Sequence, residues 1–76
     1  MPNKTAAQAY AANQATCREL LKRLERALDG HAERAALDQL NWGYSGDLGP
    51  VAQGLLLGLS MLGGLTAAER QQHPEL

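Results

Sequence analysis

Apolar side chains recur at Ala6, Tyr10, Cys17, Leu20, Leu21, Leu24 and Leu28, mostly in steps of three, four or seven residues. That spacing lines one face of a 3.6-residue helix. Asn13 and Gln14 interrupt the stripe, but the Ala-rich sequence around them keeps helix propensity high. Neither Gly nor Pro occurs between Asn3 and Gly30. Thr5-Ala6-Ala7-Gln8 has the form of a capping box, in which the Thr hydroxyl and the Gln side chain satisfy each other's orphan amides. The pattern predicts one long helix over residues 5–37. Gly30 either bends it or lies inside it at a cost of about 1 kcal/mol. Beyond Gly30, Ala32, Ala35 and Ala36 continue the Leu24–Leu28 face.

Residues 38–46 read as a loop, because Asn41, Gly43, Ser45 and Gly46 are turn formers. Trp42 and Tyr44 lie among them. Ser45 or Asp47 is placed to cap a second helix over residues 47–62, which puts Pro50 in its first turn, where a missing amide hydrogen does no harm. Leu48, Val51, Leu55, Leu59 and Leu62 form its stripe, expected to meet Cys17, Leu20, Leu21, Leu24 and Leu28 in a core. Leu56, Leu57 and Met61 then face outward. Gly63-Gly64 ends this helix, and Thr66-Ala67-Ala68-Glu69 is a second capping box that opens a short third helix over 66–72. The expected fold is all-α: a long N-terminal helix, an aromatic loop and an apolar second helix forming a hairpin, followed by the short helix.

Composition narrows the picture. The chain has 76 residues, no Phe and no Ile, and a single Val. A β-sandwich or barrel wants more β-branched and aromatic residues than that. One small domain is expected, burying only about 60 to 65 % of the surface its unfolded chain exposes. A single Cys leaves neither an internal disulfide nor a Cys-rich zinc site as a staple. Self-association is the remaining support: if Leu56, Leu57 and Met61 point outward, pairing two hairpins into a helical bundle hides them. A homodimer is therefore expected. Net charge is −1, so no overall field draws the chain to nucleic acid or to an anionic membrane. Met1-Pro2-Asn3-Lys4 and the Ala, Gln and Tyr that follow lack the apolar core of a secretory leader, and with one buried-looking Cys a reducing cytoplasm is the expected compartment.

Asn41-Trp42-Gly43-Tyr44-Ser45-Gly46-Asp47-Leu48-Gly49, preceded by Asn3-Lys4-Thr5 and an Ala-rich helix, resembles a family of short proteobacterial proteins. These are often encoded on plasmids and integrative elements. The likeness covers residues 41–49 as a motif and about residues 1–50 in general layout. It implies a setting on a mobile element and carries no catalytic residue. The Leu- and Gly-rich run from Leu55 to Leu65 departs from the more polar helix of the family.

Several features have two readings. Trp42 and Tyr44 either present a recognition surface to a partner or fold over the helix ends and close the core. Gly54 and Gly58 have small-xxx-small spacing, which fits a dimer seam or close packing on the Ala face of the first helix. Residues 48–68 carry no charge over a length that could span a bilayer, but Gln53, Ser60, Thr66, Pro50 and five Gly dilute the run. A buried soluble helix is the expectation, with membrane association as an alternative. Arg18, Lys22 and Arg26 form a basic stripe that could face phosphates, which is the nucleic-acid alternative. Glu19, Glu25 and Asp29 are interleaved with it, which favours a solvated, salt-bridged face.

Cys17 reads as a small buried thiol without a base to activate it, and His31 and His73 as lone imidazoles. No phosphate loop, nucleophile elbow or metal-ligand cluster is present, so neither enzymatic activity nor a cofactor is expected. The expected function is protein–protein interaction. Trp42, Tyr44, Gly54, Leu56, Leu57, Gly58 and Met61 are the candidate interface.

Overall fold

Thr5 starts the first helix as its sequence suggests. Its hydroxyl accepts the Gln8 amide hydrogen at 3.1 Å, and its own N–H donates to Gln8 Oε1 at 3.0 Å. The structure, a computed structural model, describes residues 5–76, so the Met1-Pro2-Asn3-Lys4 reading lies outside the described residues. The fold is all-α, with α1 (Ala6–Ala36), α2 (Trp42–Met61) and α3 (Ala67–Gln72) and, among the described residues, no strand. α1 passes through Gly30 without a break, so the local propensity cost is absorbed by the helix on either side.

The chain divides into two compact units, Met1–Asp38 and Gln39–Leu76. The first consists of α1. The second carries α2, α3 and the turns around them.

The second helix begins at Trp42, inside the segment expected to be a loop and well before the expected start at Asp47. Asn41 supplies the reason. Its backbone is extended, and its side-chain carbonyl accepts the Gly43 amide hydrogen at 2.8 Å. Asn at an N-cap is as favourable as Asp or Ser, so the earliest good cap starts the helix and the later candidates become helical residues. Pro50 consequently lies in the helix interior rather than in its first turn. It removes the donor for the Gly46 carbonyl, a position with a typical penalty of about 3 kcal/mol. Gly49 eases the arrangement, because a residue just before proline resists the α region mainly through its Cβ.

Gly63-Gly64 stops α2 as predicted. Gly63 is left-handed at φ 71°, its N–H donates to the Ser60 carbonyl at 3.0 Å, and the Gly64 N–H donates to the Leu59 carbonyl at 2.7 Å. This pair of bonds is a Schellman cap, which only a residue comfortable at positive φ completes without strain. Thr66 then caps α3: its hydroxyl accepts from the Glu69 N–H at 3.2 Å, and its N–H donates to Glu69 Oε1 at 2.9 Å. Between the two caps lies Leu65, the only buried hydrophobic side chain among the described residues, at 8 % exposure.

Neither unit buries its own share of the expected core positions within itself. Cys17, Leu20, Leu21, Leu48, Leu55, Leu59 and Leu62 are exposed, and Leu24, Leu28 and Val51 are half-buried. Helical periodicity fixes which side chains share a face. It does not supply the surface that would cover them.

Candidate functional site

The candidate interface residues all lie on α2, and the helix start at Trp42 sets their positions. Trp42 occupies the first helical turn with 86 % of its surface exposed, so nothing within its own unit covers it. Tyr44, two residues on, is half-buried. At the other end of α2, Leu57 is about half exposed and Met61 is 79 % exposed. Leu56 is half-buried, less accessible than Leu55, Leu59 or Leu62, which were expected to face inward. Within its own unit, α2 therefore has no buried stripe set against an outward remainder. Apolar side chains face solvent all around its C-terminal half.

Gly54 and Gly58 lie one helical turn apart, and a Cβ built on either meets no atom within 4 Å. Both are open, so neither serves close backbone packing within the Gln39–Leu76 unit. Gly64 is the contrasting case: a Cβ there would sit 2.9 Å from Leu59 Cδ2, because the Schellman turn lays its backbone against that side chain.

On α1, Arg18, Lys22 and Arg26 follow one another at i, i+4 and i+8, and all are exposed. Glu19, Glu25 and Asp29 stand between them, also exposed, so the face is of mixed sign. Cys17 is exposed and its thiol is free, contrary to the expected buried position. Tyr10, Leu20 and Leu21 are each more than half exposed on the same helix. His31 lies within α1, not at its end.

Sequence reasoning passed over one feature. Ser60, Arg70, His73, Pro74 and Leu76 line an open cleft of about 330 Å³. The Ser60 hydroxyl donates to the Leu76 carbonyl at 3.1 Å, and His73 Nδ1 lies 3.4 Å from Glu75 Oε1. No sequence spacing links Ser60 to the tail, so only the turn at Gly63-Gly64 reveals the cleft. Beside it, hydrogen bonds from the Thr66 backbone and side chain, with the His73 charge, hold the Glu69 carboxyl below its ordinary value. Among the described residues, no group of three or more His, Cys, Asp and Glu side chains is placed to hold a metal ion. Among those same residues, no helix is long and apolar enough to cross a membrane. Glycines, Gln53 and Ser60 lower the hydropathy of α2 below that threshold.

No protein-family model matches the chain, nor does any curated protein or solved structure.

Proposed function

We propose that this chain is a non-enzymatic helical module that works in the cytoplasm by protein–protein contact, first with copies of itself. The observation that carries the reading is the exposure of Trp42, Leu57, Met61 and Leu62 on a helix with no buried residue. Large apolar side chains exposed at both ends of one helix are candidate contact points for a partner. Tyr44, Leu56, Gly54 and Gly58 fall on the same helix and complete the candidate surface. The open glycines permit a second helix to approach closely. The Asn41–Gly49 motif supports a role as an accessory protein of a bacterial mobile element.

Light scattering coupled to size exclusion tests the reading. The native chain is expected to elute with a mass above 8.1 kDa that rises with loading concentration. The Leu57→Lys/Met61→Lys variant is expected to shift toward the monomer while keeping its helical circular dichroism. A native chain that stays monomeric at tens of micromolar contradicts the proposal.

A further inference from the structure

We infer that a second copy of this chain docks on α1 in antiparallel orientation, in one register selected by Arg18 and Glu25. The inference deepens the self-association reading and rests on it. α1 carries a seven-residue repeat in its middle: Leu21 and Leu28 take one core position and Cys17 and Leu24 the other, in alternating steps of four and three. Leu21 is 54 % exposed, Cys17 is exposed, and Leu24 and Leu28 are half-buried. This seam is incompletely covered within its own unit, and a paired helix covers it.

Orientation and register follow from what each arrangement puts together. In a parallel pair every seam residue meets its own copy, and the flanking contact sets Leu20 of one copy against Glu25 of the other, with no charge compensated. In an antiparallel pair the two core positions alternate across the seam. One register places Leu21 against Leu24 of the second copy and Cys17 against Leu28. It also sets Tyr10 against the small Ala35, and the two polar seam residues, Gln14 and His31, against each other. In that register Arg18 flanks Glu25 of the second copy, and two-fold symmetry repeats the pair. Sliding one copy by a heptad in one direction brings Arg18 against Arg18 and Leu24 against Gln14. Sliding it in the other direction brings Glu25 against Glu25 and Leu21 against His31. Like charges face each other in both displaced registers, so opposite charge and apolar matching select the same alignment. α1 is 31 residues long, and almost its whole length overlaps in this alignment.

Cys17 makes the arrangement testable. In the favoured register the two Cys17 residues stand about 16 Å apart along the seam, beyond disulfide reach. Leu28→Cys places a thiol opposite Cys17 of the second copy, while residues 17 and 28 of one helix are equally too far apart to bridge internally. Under an added disulfide oxidant, the Leu28→Cys chain is expected to yield covalent dimer at least about tenfold faster than the native chain. Rapid bridging of the native chain through Cys17 overturns the antiparallel seam and leaves self-association standing. A monomer in sedimentation overturns both. A second experiment leaves the leucines in place. Arg18→Glu is expected to weaken dimerisation about tenfold, and Arg18→Glu with Glu25→Arg to restore it. Failure of the double variant to recover overturns the register.

Discussion

The Gly64 amide donates to the Leu59 carbonyl at 2.7 Å, and a Cβ on Gly64 would approach Leu59 Cδ2 to 2.9 Å. One glycine thus closes the helix and makes room for the side chain a turn earlier. Gly63, beside it, supplies the positive φ. Gly63→Ala is expected to destabilise the Gln39–Leu76 unit by about 1 kcal/mol, because alanine is strained at that φ. Gly64→Ala is expected to cost less, since the flexible end of Leu59 can move aside. Urea denaturation followed by circular dichroism checks both values and their order.

Thr66 and Glu69 hold α3 through reciprocal hydrogen bonds. Thr66→Ala removes the hydroxyl that accepts the Glu69 N–H while keeping the backbone N–H that Glu69 Oε1 accepts, and is expected to destabilise α3 by about 1 kcal/mol. Faster amide exchange over residues 67–73 is the readout.

The same pair gives a pH dependence with a definite sign. The Glu69 carboxyl is held below its ordinary value of 4.5, so its contribution to α3 is fully present above that pH. It is lost as the pH falls through the lowered folded value, when the carboxylate takes up a proton and accepts the Thr66 N–H less strongly. Protection of the amides at residues 66–73, taken relative to their intrinsic exchange rates at each pH, should fall on acidification below about 4.5, and Glu69→Gln should flatten that response. A loss of protection that begins near neutrality would contradict this assignment.

Pro50 sits inside α2 with no amide hydrogen to offer the Gly46 carbonyl. Pro50→Ala restores that bond and is expected to raise stability, by up to about 3 kcal/mol. An unchanged or lowered melting temperature would contradict a free-energy cost of Pro50 within α2.

Gly58 separates folding from assembly. A Cβ there meets nothing within 4 Å, so Gly58→Ala should raise helix stability by roughly 0.5–1 kcal/mol. Gly58→Leu should leave the helical circular dichroism of the chain intact and weaken self-association. Equal loss of both signals would mean that the site is packed within a single copy.

The extent to which the sequence was legible follows from how local each determinant is. Thr5, Thr66 and Gly63-Gly64 act within four or five residues, and each helix end they specify lies where it was expected. Trp42 was misplaced because Asn41, Ser45 and Asp47 are all competent caps, and glycines within the next turns read as loop formers. Pro50 reinforced the error, since a first-turn proline is the commoner arrangement. The burial pattern was the least legible. Leu20, Leu21 and Leu24 share a face by periodicity, yet whether that face is covered depends on surfaces distant in sequence or supplied by another molecule. Leu65, which is buried, lies outside any helical stripe and was not singled out.

The measurement that bears most directly on the account is sedimentation equilibrium of the native chain across micromolar to hundred-micromolar concentrations. The account predicts a reversible monomer–dimer isotherm that Leu57→Lys/Met61→Lys weakens while the helical signal persists. A single species of 8.1 kDa over the whole range would contradict it.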